Sequence, residues 1–113
     1  MPNKRHKISF IYAFEGLWYA ITTQPNFIIH TILSLGVITL GLVRKIEGTS
    51  WAILFLTIGI GLAVELINTS IESLTDLATS EYHILAKRAK DTASAAMLVY
   101  AVFAVVVAAF IFL

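Results

Sequence analysis

The stretch Thr92-Ala93-Ser94-Ala95-Ala96-Met97-Leu98-Val99-Tyr100-Ala101-Val102-Phe103-Ala104-Val105-Val106-Val107-Ala108-Ala109-Phe110-Ile111-Phe112-Leu113 carries no charged residue. A helix needs roughly 20 apolar residues to cross hydrocarbon. Backbone groups in lipid must be satisfied within the protein, which leaves helices or closed barrels. The run therefore reads as a transmembrane helix. Two shorter apolar runs join it by company. One extends from Phe27 to Val43, interrupted by His30 and a few hydroxyl residues, and the other from Trp51 to Val64, where it meets Glu65. Three long apolar runs are too few for a barrel, so the expected fold is an all-α membrane protein with spans at about 27–43, 51–71 and 92–113.

Composition points the same way. Of 113 residues, 58% are hydrophobic and 13% are charged, against about 25% charged in ordinary soluble domains. One small core could not hide that much apolar surface, and the bilayer is the second apolar solvent it needs. A net charge of +1 provides no broad attraction to nucleic acid. The lack of cysteine excludes a disulfide framework, thiol chemistry and cysteine metal sites. The basic start Lys4-Arg5-His6-Lys7 leads into a segment broken by Glu15 and Gly16, unlike the apolar core and cleavage site of a secretory signal. No internal repeat is visible, and the chain reads as one domain over residues 1–113.

The connection from Arg44 to Ser50 is short and holds Gly48, so the first two spans are expected to form an antiparallel hairpin. The connection from Glu72 to Asp91 is longer and holds seven of the fifteen charged residues. Lys4, Arg5 and Lys7 precede the first span, Lys87, Arg88 and Lys90 precede the third, and only Arg44 and Lys45 lie on the other side. The positive-inside rule then places the N-terminus and the 72–91 region in the cytoplasm, with the C-terminus outside. Ahead of the first span, Ile8, Ile11, Phe14, Trp18 and Ile21 share a helical arc, the pattern of an amphipathic surface helix over about 8–22. Lys7 and Glu15 interrupt that arc, and Pro25 disfavours helix at Gln24.

Glu65, Asn68, Glu72 and Asp76 stand at i, i+3, i+7 and i+11, within an arc of roughly 80° on one helix face. Ionisable groups at a membrane span are costly and point to function; the alternative is that the carboxylates pair with Lys or Arg at a helix interface. From Trp51 to Glu65 is about 21 Å of helix rise against about 30 Å of hydrocarbon. The stripe can thus reach a headgroup-level hydroxyl at Glu65 and a water-soluble anionic substrate at its upper end. Carboxylates facing phosphates repel unless a hard cation lies between them, and Mg²⁺ bridged by one or two carboxylates is the usual solution. Lys87, Lys90 and Asp91 share a face at the entrance to the third span. There Lys90 can neutralise phosphate charge, or these cations can simply anchor the span. Glu81-Tyr82-His83 adds a ring and hydrogen-bonding groups.

These residues resemble the prokaryotic diacylglycerol kinase and undecaprenol kinase family. The resemblance rests on Glu65-Leu66-Ile67-Asn68-Thr69-Ser70-Ile71-Glu72, Asp76, Ala86-Lys87-Arg88-Ala89-Lys90-Asp91 and Ser94-Ala95-Ala96, and it covers essentially the whole chain. It implies a homotrimeric helical bundle with shared active sites that moves the γ-phosphoryl of ATP, with Mg²⁺, to a membrane lipid alcohol. By position, Glu65 matches the general base that meets the lipid hydroxyl, with Asn68 beside it, and Glu72 matches a metal ligand. Asn68, Glu72, Glu81, His83, Lys90 and Asp91 match nucleotide-site positions, and Arg5 matches a basic residue at the nucleotide. The family carries a glutamate as second metal ligand in the turn before the first span, where this chain has Gln24; Glu15 is an acid that could compensate. Ser80-Glu81-Tyr82-His83 and Ser94-Ala95-Ala96 look like the diacylglycerol branch, and Ala86-Lys87 like the undecaprenol branch.

Two other classes fit parts of the pattern. A small proton-coupled transporter would need one carboxylate near the bilayer midplane and no use for Asn68, Glu72, Lys90 and Asp91. A non-catalytic assembly subunit would use Gly59 and Gly61 for close packing. Nucleotide-dependent lipid phosphorylation separates all three.

Overall fold

The computed structural model describes residues 10–113, and every element among them is helical: α1 (Phe10–Thr23), α2 (Pro25–Arg44), α3 (Gly48–Ala78) and α4 (Ile84–Phe112). Helices α2, α3 and α4 are each long and apolar enough to cross a membrane. The start of the expected surface helix and the basic cluster with Arg5 lie outside the described residues.

Proline sets the α1–α2 junction. Gln24 is extended (φ −104°, ψ 106°) ahead of Pro25, which opens α2, as steric exclusion of helical backbone before proline requires. Hydrogen bonding nonetheless runs through the corner, with the Gln24 N–H donating to the Ala20 carbonyl at 2.9 Å and the Ile28 N–H to the Gln24 carbonyl at 3.1 Å.

The α2–α3 hairpin turns over three residues, with one difference from expectation. The left-handed residue is Lys45 (φ 55°), and Gly48 is instead the first residue of α3. The N–H of Ile46 reaches the Gly41 carbonyl and the N–H of Lys45 the Leu42 carbonyl, a paired cap that satisfies the end of α2. Gly41 is buried under Trp51 and Ile46, and a methyl there would press on both. This close approach, with Trp51 stacked on Phe55, lets so short a turn close.

The larger correction concerns the 72–91 region. Only 79–83 is a connection; α3 continues to Ala78 and α4 begins at Ile84. No glycine or proline lies between Glu72 and Ala78 or between Ile84 and Asp91, so nothing breaks either helix where it leaves the apolar stretch. At 31 residues, α3 rises about 46 Å, well beyond the roughly 30 Å of hydrocarbon. All the charges of this region except Glu81 thus sit on helix faces rather than in a loop.

The Arg44 guanidinium at the end of α2 donates to the Phe112 carbonyl at the end of α4, 2.9 Å away. Helices α2 and α4 therefore run parallel, with α3 antiparallel to both. Among the described residues the buried apolar side chains are Ala20, Phe27, Leu54, Ala93 and Phe112, and Glu65, Asn68 and Thr69 are buried with them.

Candidate active site

Three polar side chains on one face of α3 lie deep in the chain: Glu65 is 3% exposed, Asn68 5% and Thr69 9%. Burial of polar atoms costs free energy unless they find partners. The amide oxygen of Asn68 is fully enclosed and accepts no hydrogen bond, and among the described residues Glu65 makes neither a hydrogen bond nor an ion pair. A group left this way is a strain reservoir or waits for a ligand.

One turn above Asn68, Glu72 is half-buried. Another turn on, Asp76 reaches across to α4, where its carboxylate meets the Lys90 ammonium at 2.6 Å. Lys90 lies before the uncharged part of α4. The hydrogen bond and charge of Asp76 raise its pKa above the usual lysine value, partial burial opposes the shift, and Glu72 adds a smaller upward pull. Exposed pairs of this kind add little stability. What the contact does is hold the Lys90 ammonium on the α3 side of its helix, over the stripe that begins at Glu65.

The sequence-predicted residues divide into groups. Glu65, Asn68, Glu72 and Asp76 share their stripe, with Lys90 joined to it. An open groove of about 460 Å³ brings Asp76, Glu81, His83, Lys87 and Lys90 together with Tyr82. Asp91 is turned aside, held by Lys87 at 2.6 Å in an i, i+4 pair. His83 caps α4, its Nδ1 accepting from the Leu85 N–H at 3.1 Å, so this ring has a structural task whatever else it meets. Glu81 is held only by its backbone, which donates to the Thr79 hydroxyl.

Gln24 turns its amide to the Thr23 hydroxyl (3.1 Å) and the Tyr19 hydroxyl (3.4 Å), and no hydrogen bond joins it to Glu72. A second open groove, of about 560 Å³, separates α1 from α3, lined on α1 by Ala13, Gly16, Leu17, Tyr19 and Ala20. It reaches α3 at Leu66, next to Glu65. Glu15 is exposed and outside that lining.

Among the described residues no three Asp, Glu, His or Cys side chains gather as a ready-made metal centre. The donors present suit a magnesium ion that arrives with phosphates, which needs one or two carboxylates and keeps water or substrate oxygens for the rest. Glu72 offers the carboxylate, and the enclosed Asn68 amide oxygen is an unused acceptor one turn deeper.

Sequence reasoning passed over Thr69 and Tyr100. For Thr69 the signal was adjacency to Asn68. For Tyr100 it was a lone phenol in the uncharged run, since a buried tyrosine hydroxyl usually finds a partner; here it donates to the Thr57 carbonyl at 2.7 Å.

Comparison with known proteins converges on one group. A model of the family "Prokaryotic diacylglycerol kinase" matches residues 11–112. An undecaprenol kinase of Bacillus subtilis is 39% identical over 105 residues, covering 93% of this chain and 85% of the relative. A diacylglycerol kinase of a Synechocystis species is 45% identical over 101 residues, 88% of this chain but only 58% of that protein's length. A diacylglycerol kinase of Helicobacter pylori is 38% identical over 100 residues, covering 88% of this chain and 78% of the relative. With a match running almost from end to end and three apolar helices beneath it, this multi-pass membrane protein belongs to the prokaryotic diacylglycerol kinase family.

Proposed function

We propose that the protein transfers the γ-phosphoryl group of ATP to a membrane lipid alcohol, with Glu65 as general base. The observation that carries this reading is the buried, unpartnered pair Glu65 and Asn68 at the foot of a polar stripe that climbs to Lys90. A lipid hydroxyl entering beside Leu66 meets the Glu65 carboxylate, which takes its proton as the oxygen attacks the γ-phosphorus. The bond to the ADP oxygen breaks, and ADP leaves with the electron pair. Asn68 accepts or orients a hydrogen bond at the reacting oxygens. Lys90, pre-positioned by Asp76, faces the charge on the phosphates. Glu72 would hold a magnesium ion, which would supply further neutralisation of that charge. The groove along Asp76, Glu81, His83 and Lys90 takes the rest of the nucleotide.

The same reading places the N-terminal region and residues 79–83 in the cytoplasm, in line with the basic residues around them. It also takes the assembly as a homotrimer with shared sites, the state the family resemblance implies. Asp91, which one chain alone turns toward Lys87, and Arg5, which lies outside the described residues, then serve the nucleotide. A proton-coupled transporter accounts for Glu65 but leaves the Lys90–Asp76 contact and the orphaned Asn68 without a task. The test is nucleotide-dependent phosphorylation of diacylglycerol and undecaprenol, presented in parallel to purified protein in micelles. Phosphorylation of neither lipid overturns the kinase reading.

Gln24 supplies a further expectation. Mg²⁺ favours hard anionic oxygen, and the family resemblance implies a glutamate at this turn. Gln24→Glu should raise apparent Mg²⁺ affinity and turnover without altering the preference between the two lipids. Glu15→Ala should be silent, because Glu15 is exposed and outside the groove against α3. A Mg²⁺ titration of both variants and their combination decides. An inactive Glu15→Ala beside an unchanged Gln24→Glu would move the second ligand to Glu15.

A further inference from the structure

Tyr100 touches all three spans from a single side chain. Its hydroxyl donates to the Thr57 carbonyl of α3 at 2.7 Å. Its ring lies flush on Gly61 of α3, where an added methyl would overlap it. On its other side is His30 of α2, ring centroids 5.5 Å apart and planes at 64°, an edge-to-face contact. Gly61 is buried, whereas Gly59, two residues away, has open space around its Cα. Tyr100 therefore packs on α3 at Gly61 and not at Gly59.

Thr57 and Gly61 lie two turns and one turn below Glu65, and the three share a helical arc of roughly 80°. On α3, Glu65, Asn68 and Glu72 are thus bracketed by two contacts from α4, Tyr100 on Gly61 below and Lys90 on Asp76 above. The upper contact is an exposed ion pair between two long, mobile side chains. The lower one is a rigid ring, anchored by a hydrogen bond in a segment where water does not compete, and it sets both the axial register and the spacing of the two helices. Glu65, one turn from Gly61 on the same arc, is buried between the two contacts.

We propose that Tyr100 is a positioning residue for Glu65: by fixing α4 on the Thr57–Gly61 segment, it holds the Glu65 carboxylate where the lipid hydroxyl arrives, without touching a reacting atom. This rests on the reading of Glu65 as general base. Interhelical hydrogen bonds in membrane proteins change an equilibrium by about threefold on average, while misplacing a catalytic group by about 1 Å costs on the order of a hundredfold in rate. Tyr100→Phe keeps the ring on Gly61 and His30 and removes only the hydroxyl bond, so its effect falls between these, at about tenfold in kcat.

The experiment is a cycle in detergent micelles: wild type, Tyr100→Phe, Glu65→Gln and the double variant. It measures kcat and KM for lipid and for MgATP by labelled phosphate transfer, with thermal unfolding followed in parallel. The expected result is a kcat loss of about tenfold for Tyr100→Phe with both KM values unchanged, and no further loss when it is added to Glu65→Gln. An equal proportional loss in the Glu65→Gln background means that Tyr100 acts on the fold at large and overturns the proposal. So does a Tyr100→Phe kcat equal to wild type. If Glu65→Gln itself keeps more than half the wild-type rate, the general-base reading falls and the positioning role falls with it, a result distinct from the other two. Gly61→Ala adds a second probe from the opposite side of the contact. It should lower kcat further than Tyr100→Phe does, and Tyr100→Leu in the same chain should restore part of the loss by making room for the methyl. A Gly61→Ala variant with wild-type kcat contradicts the contact on which the proposal stands.

Discussion

Glu65→Gln should lower turnover by about 10²–10⁴, the usual cost of losing a general base, while MgATP binding stays near wild type. Glu65 is 3% exposed as a residue and its carboxylate takes part in no ion pair among the described residues, so replacing it breaks no existing bond. Glutamine has the same shape, and a neutral amide is cheaper than a carboxylate at the edge of a bilayer. Folding should therefore be preserved or slightly improved, and a large loss of rate can be assigned to the chemistry. Steady-state rates with each lipid, beside calorimetric titration of MgATP, check both halves. A variant that keeps more than half the wild-type rate takes Glu65 out of the base role. One that loses nucleotide affinity in proportion to rate moves it to the binding site.

The polar stripe was legible because it obeys the helical period over residues whose chemistry is unmistakable. Glu65, Asn68, Glu72 and Asp76 lie where a straight helix puts them, and the three apolar spans follow from length and composition. What hydropathy could not show was where the helices end. It marks the edge of the hydrocarbon at the first carboxylates, but a helix leaving lipid needs no reason to stop there. The apparent 72–91 connection therefore shrank to 79–83. That extension has consequences for the site, since it carries Asp76 and Lys90 on rigid elements and lets them meet.

Contacts between helices were less accessible. Which residue of α4 faces Gly61 depends on the register that a five-residue connection imposes, and no periodicity within α4 encodes it. Lys87, Lys90 and Asp91 were correctly placed on one face, but spacing alone does not say that Asp91 is taken by Lys87 while Lys90 crosses to Asp76. The α2–α3 turn shows the same limit. Gly48 lies in the expected Arg44–Ser50 connection, yet it opens α3, and the left-handed position falls on Lys45. Its cost is offset by the two capping bonds and by Trp51 and Ile46 closing over Gly41.

Glu72→Ala should abolish most Mg²⁺-dependent nucleotide binding, a loss of affinity on the order of 10–100-fold, the range typical of weakened metal sites. Glu72 stands about 10 Å further along α3 than Glu65, one turn short of the Asp76 that holds Lys90, and it already contributes to the field at that ammonium. Two acids on one stripe thus have different surroundings: Glu65 is enclosed, while Glu72 is half-buried and acts on the Lys90 ammonium. Removing the Glu72 carboxylate leaves phosphate oxygens facing Asp76, whose own charge is shared with Lys90, and no other carboxylate on the stripe is at the right height to replace it. Titration of MgATP against Glu72→Ala and Glu65→Gln separates the roles. The former should lose affinity and gain little from excess Mg²⁺, while the latter should bind as wild type does. Equal affinities in the two variants would mean that the stripe is not divided into a base end and a metal end, and the acceptor hydroxyl would then have to be placed elsewhere along it.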